Sequence, residues 1–302
     1  MNFRHYLSIA SCCISLFGIS CSEQRIEPDK NDYSSLNDYY NSKKPAEQEF
    51  TITKDGTDPI VGNQNSRIWI NKQVLMYPNG DSVQWPFTLK LVELYKPKDM
   101  IYYQMPNLAA RYLLTTAGEI RLRAFKDNKE LVLRPNRTFP IEMPASSPTS
   151  DKGVYYGNES GSVVDWSNNF TAMGVNSIAD SLFTATTYGY KAQIGKLGWI
   201  NAGKLVTDKH ECTLSFTSEK DNLKNVDIFI YFPDKRSLMQ VYNAKSGLMP
   251  AGSSVKIIAL AINASGNLYY YYSEQTINAS ANIAITLEAT TDEALTRLLD
   301  NL

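Results

Sequence analysis

Apolar and polar residues alternate along most of this chain with a period of two, the pattern of half-buried strands. Ile120, Leu122 and Ala124 fall on one side of a short run, with Arg121, Arg123 and Phe125 on the other. Val83–Tyr95 is a longer run in which Phe87, Leu89, Leu91 and Glu93 alternate with Thr88, Lys90, Val92 and Leu94. Pro86 predicts an edge position or a bulge at its start. Further strands are expected at 67–70, 73–77, 131–134, 137–144, 226–232, 238–242, 255–262, 268–273 and 277–287. Turn residues punctuate them at Pro78–Asp81, Ala117–Glu119, Asp127–Glu130, Pro250–Ser253 and Ala264–Asn267. Helical spacing occurs at the C-terminal end, where Leu295, Leu298, Leu299 and Leu302 follow a capping-box-like Thr290-Thr291-Asp292-Glu293. The expected class is all-β: two antiparallel β-sandwich domains after a flexible tether, closed by a short C-terminal helix.

Domain boundaries follow from changes in this pattern. Residues 49–145 form the first sandwich and 206–302 the second, which carries the helix. Residues 146–205 open on a Pro/Ser/Thr/Asp linker and become aromatic and Gly-rich with weak periodicity. They are expected as an irregular extension of the first sandwich or an interdomain layer. Residues 21–48 are polar and read as a tether, although their tyrosines offer docking points.

The first twenty residues have a different character. Arg4 and His5 precede a mostly apolar run, Leu7–Ile19, which is too short for a bilayer core needing about 20 apolar residues. Gly18-Ile19-Ser20-Cys21 follows, and the whole resembles a bacterial lipoprotein signal peptide, residues 1–20, with Cys21 as the acylated N-terminus. Gly18 stands where that pattern usually has Leu. Ile9-Ala10-Ser11-Cys12 matches the local pattern better but leaves almost no apolar run before cleavage. An ordinary secretory signal cut near Ser20 and a plain N-terminal membrane helix are the alternatives.

Cleavage before Cys21 leaves 282 residues, with 29 Lys and Arg against 31 Asp and Glu. This near-neutral balance argues against nucleic acid, which a basic surface normally meets. Cys12 and Cys13 depart with the signal and Cys21 carries acyl chains, so Cys212 has no disulfide partner. Alternation places Cys212, Leu214 and Phe216 on one strand face, as a small buried hydrophobe would sit.

The chain resembles exported lipoproteins of Bacteroidota in three stretches: Cys21-Ser22-Glu23, Ala117–Phe125 and Leu197-Gly198-Trp199-Ile200-Asn201. Pro250–Ile257 is similar to carboxypeptidase regulatory-like and transthyretin-like β-sandwich modules. The resemblance implies an outer-membrane location, periplasmic or surface-facing, and a β-sandwich architecture.

Candidate chemistry is sparse. His210 is the only histidine after the signal, too few ligands for a transition-metal site. No Gly-x-Ser-x-Gly elbow and no phosphate-binding Gly-rich loop occurs. Asp165 and Glu93 are available carboxylates that the sequence does not pair. The better lead is aromatic. Trp166, Trp199, Tyr155, Tyr156, Tyr270 and Tyr272 are the candidate ligand-binding rings, since glycan binders use flat aromatic faces. In Tyr269–Tyr272, alternation sends one pair to the core and exposes the other. The expected function is a lipid-anchored envelope protein with a structural or protein-interaction role, no catalysis, no cofactor and no metal. Its partners would be the membrane and an envelope protein or glycan. A surface glycan-binding lipoprotein of a polysaccharide-uptake system is the alternative.

Overall fold

The structure, a computed structural model, describes residues 29–160, 163–208 and 210–302. Cys21 and the signal lie outside the described residues. The described chain is all-β, built from several antiparallel sheets and closed by a short C-terminal helix.

A central sheet runs in the order Gln48–Ile52, Phe87–Leu94, Tyr112–Lys126, Gly198–Leu205, Gly153–Ser160, Val163–Ser167. An outer sheet orders Thr184–Ala185, Gly189–Ile194, Phe139–Pro144, Arg67–Ile68 and Ile60–Val61. The alternation explains how they pack. Leu89, Leu91, Ile120, Leu122, Ala124 and Ile200 on the central sheet meet Ile68, Phe139, Ile141 and Ile194 from the outer one. Each fully buried Leu, Ile or Phe among them contributes about 1.5–3 kcal/mol by leaving water.

A C-terminal sheet follows, in the order Ser237–Val241, Asp227–Phe232, Ser253–Ile262, Leu268–Ile277, Glu288–Thr290. One face buries Ile228, Ile230, Val255 and Ile257 with Cys212, Leu214 and Phe216 from short flanking strands. Leu214–Thr217 in that layer runs parallel to Ala281–Ala284. The stretch 277–287, expected as one strand, is therefore divided: Ile277 ends the strand paired with Ser253–Ile262, and Ala281–Ala284 pairs with Leu214–Thr217.

The opposite face of the C-terminal sheet does not meet solvent either. Phe229, Tyr231, Ile258 and Leu260 share a core with Val92, Leu94, Leu114 and Trp199 from the reverse face of the central sheet. Three helices help to fill this layer: Asn37–Lys43, Pro97–Tyr103 and Asp292–Asp300. The last is N-capped by Thr291, whose side chain accepts from the Ala294 amide at 3.2 Å. The cap thus sits one residue later than the capping-box reading placed it, and Leu295 and Leu299 are the buried leucines.

Segments 146–205 and 21–48 take definite places where they are described. The first supplies regular strands to both the central and the outer sheet. The second docks through its tyrosines, from Asp29 onward. Tyr33 donates to Asp221 at 2.7 Å, the Ser34 amide donates to the Ile262 carbonyl at 2.7 Å, and Leu36 and Tyr40 are buried.

One turn expectation fails for a specific reason. Ala117-Gly118-Glu119 lies inside the long strand Tyr112–Lys126. Gly118 adopts φ +140° beneath the Tyr95 ring, where an added Cβ would stand 2.3 Å from ring carbons. The glycine marks a close approach within a strand.

Candidate functional site

The six candidate rings do not form a platform. Trp166 is 1% exposed, and its indole N–H donates to the Pro106 carbonyl at 2.8 Å. Trp199 is buried under the Tyr103 ring, with centroids 6.0 Å apart, and the Arg121 guanidinium, 5.1 Å away. Tyr155 is buried in the layer between the central and C-terminal sheets. Tyr156 lies in the first sandwich core and accepts from the Gly195 amide at 3.1 Å. These four rings have no free face to offer a ligand, which corrects the expectation placed on them. The physical cause is that the central sheet is covered on both sides.

Tyr270 and Tyr272 are half-buried against the layer containing the C-terminal helix, and the Tyr272 hydroxyl donates to Glu274. Tyr269 and Tyr271 are half-buried on the opposite face. Neither pair is a core pair with a free partner, because this sheet too is covered on both sides.

The single carboxylates serve the fold. Glu93 is 3% exposed and accepts from the amides of Gln64 at 2.8 Å and Ser66 at 2.9 Å, and from Gln48 Nε2 at 2.8 Å. It fixes the loop that leads into the outer sheet. Asp165 is exposed and accepts from the Ala110 amide at 2.7 Å. Glu119 is fully buried, and desolvation raises its pKa well above the usual value, against the hydrogen bonds from Asn107 and Asn201. Its Oε2 has no partner. Cys212 is buried, which raises its thiol pKa. His210 is exposed on its loop. Among the described residues no group of three or more His, Cys, Asp or Glu side chains comes together.

The arrangement best suited to a ligand is a cleft of about 480 Å³ where the two halves of the chain meet. Three parts build most of it, with Tyr190 added from the outer sheet. Thr115–Ala117 and Lys204 come from neighbouring strands of the central sheet, 145–152 is the linker, and Asp234–Arg236 form the turn between two strands of the C-terminal sheet. That turn is held firmly. The Arg236 backbone is left-handed, at φ +52°, and its guanidinium donates to the Tyr95 carbonyl at 3.1 Å. Next to it, Ser237 Oγ donates to the Leu114 carbonyl of the central sheet.

Four cations face two carboxylates in this cleft. Lys204 pairs with Asp151 at 2.8 Å and Lys235 with Asp234 at 2.5 Å. Lys152 and Arg236 make no ion pair among the described residues. Lys152 Nζ instead donates to Thr115 Oγ1 at 2.7 Å. Its pKa is lowered, mainly by desolvation and further by the positive charges of Lys204 and Arg236, despite the opposing pull of Asp151. Ser146, Ser147 and Thr149, all exposed, complete the wall, with Thr149 Oγ1 donating to Asp151 at 2.5 Å. Chemically this is a receptor for an oxyanion, with hydrogen-bonding groups beside it.

A second cavity, of about 430 Å³, lies between Leu131–Leu133 and Gly195–Gly198. Its cation, Lys196, is turned onto the Met173 carbonyl at 2.7 Å.

Nothing in the sequence marks the cleft. Asp151-Lys152 falls in the Pro/Ser/Thr/Asp linker and Asp234-Lys235-Arg236 between two expected strands, and only the sheet topology brings them to Lys204.

No protein-family profile matches the chain, and no curated protein matches it in sequence.

Proposed function

We propose that this is a lipid-anchored cell-envelope protein, acylated on Cys21, whose β-body has a structural or protein-interaction role without catalysis. Its membrane is the outer membrane of a Bacteroidota-type envelope. The observation that carries the reading is the signal-like run Leu7–Ile19 ending in Gly18-Ile19-Ser20-Cys21, and the chain is clamped soon after Cys21. The Asn31 amide donates to the Lys220 carbonyl at 2.8 Å, and Asn31 Nδ2 to Asp221 at 3.1 Å. From Cys21 to Asp29 the chain spans at most about 30 Å even when fully extended. A body gripped at this point is held close to its bilayer, and several acyl chains on one residue make the attachment firm at about 0.8 kcal/mol per buried methylene.

The test is metabolic labelling with a palmitate analogue and membrane fractionation. Wild type and Cys12→Ala are expected to carry label and sediment with membranes, while Cys21→Ala loses both. Label retained on Cys21→Ala would overturn the assignment.

A second reading, a surface glycan-binding lipoprotein, is favoured by the junction cleft alone. Its hydroxyls and cations supply polar contacts of the kind that sugars need.

A further inference from the structure

We propose that the junction cleft binds an acidic sugar, its carboxylate held by Lys152 and Arg236 and its hydroxyls met by Ser146, Ser147 and Thr149. Only the choice of a sugar rests on the glycan-binding reading. The oxyanion site itself stands on the cleft and does not depend on acylation.

Three observations support the site. The first is uncompensated charge. The neighbouring Lys204 and Lys235 have carboxylate partners, and so do Lys43, Lys90 and Lys98 elsewhere on the surface. Lys152 and Arg236 line one cleft with no ion pair among the described residues. A half-buried ammonium beside like charges gains from an anion far more than an exposed one, because screening by water is weaker there.

The second is preorganisation. Lys152 is fixed by Thr115, and Arg236 by the Tyr95 carbonyl and a left-handed turn. Little side-chain freedom is left to lose when an anion arrives. The third is the ligand's remainder. A sugar ring fills more of a space of about 480 Å³ than a bare oxyanion does, and it presents hydroxyls to the wall.

Binding would be measured by titration calorimetry on the full chain, with galacturonate, neutral galactose and inorganic phosphate as probes. Wild type and Cys21→Ala proteins are both used, so that the outcome is separate from the lipid question. Galacturonate is expected to bind near about 1 mM and galactose at least about tenfold more weakly. Lys152→Gln and Arg236→Gln should each weaken galacturonate by about tenfold, the loss of one charge-assisted contact. Lys126→Gln, remote from the cleft and paired with Asp127, should change nothing. Arg236 is exposed on its turn, so its variant answers the question even where Lys152→Gln fails to fold. Phosphate binding as tightly as galacturonate, and competing with it, would overturn the sugar and leave a site for a free oxyanion. No anion bound at about 10 mM, or binding indifferent to Arg236→Gln, would overturn the site.

Discussion

Asn107 and Leu238 exchange two hydrogen bonds of 2.7 Å, one from the Asn107 amide to the Leu238 carbonyl and one from the Leu238 amide to Asn107 Oδ1. The same asparagine donates through Nδ2 to buried Glu119. Its side chain therefore joins the central sheet to the C-terminal sheet at a point closed to water. Asn107→Ala leaves the Leu238 amide and a Glu119 oxygen short of partners. A loss of about 2–3 kcal/mol in urea unfolding is expected.

Glu119 gives the fold a defined pH dependence. Burial raises its folded pKa well above the usual value, so the folded state keeps a proton that the unfolded chain releases. Stability from this group is complete below the ordinary glutamate pKa and is lost as pH rises toward the folded value, by up to about 1.4 kcal/mol per pH unit. Glu119→Gln has no proton to lose. Unfolding curves from pH 4 upward should show a decline in wild type, and Glu119→Gln should flatten it. Equal slopes would mean that Glu119 is ionised in the folded protein.

The N-terminal segment is predicted to be part of the folded core. Tyr40 is fully buried in the layer shared by the central and C-terminal sheets. Tyr40→Ala should cost about 3–5 kcal/mol, as truncation of a buried aromatic does. Nearby, Asp292 pairs with Lys43 and accepts from Tyr39 at 2.9 Å, but it is partly open to water. Asp292→Asn should cost less than about 1 kcal/mol. Comparable losses in denaturant titrations would put the energy of the clamp at its surface instead.

What the sequence discloses follows from what a period of two encodes. Alternation places Ile120, Leu122 and Ala124 on one face, and all three are buried there. It does the same for Cys212, Leu214 and Phe216. The pattern names the two faces of a strand without saying what covers the second. Trp166, Trp199, Tyr155 and Tyr156 read as available rings, and all four are core because the central sheet is covered on both sides. The cleft was illegible for a related reason. Lys152, Lys204 and Arg236 lie on separate elements, and strand order alone brings them together.

Gly118 offers a test of packing that composition would not suggest. At φ +140° beneath the Tyr95 ring it has no room for a Cβ. Gly118→Ala should destabilise the protein by about 1–3 kcal/mol from backbone strain alone, with the ring clash added. Tyr95→Ala removes the clash but not the strain. The double variant should therefore lose less than the two single losses combined. Simple additivity would show that the ring is not what confines the glycine.

Thiol counting probes both ends of the molecule at once. Cys212 is 4% exposed, its Sγ lies 3.6 Å from the Met249 carbonyl, and burial raises its pKa. The thiolate is the reactive form, so a raised pKa and a closed surface both slow attack by a disulfide reagent. If Cys12 and Cys13 leave with the signal and Cys21 is acylated, the native protein should show no rapidly reacting thiol. In denaturant it should show a single one. Cys212→Ser should abolish that signal, with a modest stability loss from burying a hydroxyl in an apolar layer. A fast thiol in the native protein that survives Cys212→Ser would mean that Cys12, Cys13 or Cys21 is free, and the reading of a cleaved and acylated N-terminus would fall with it.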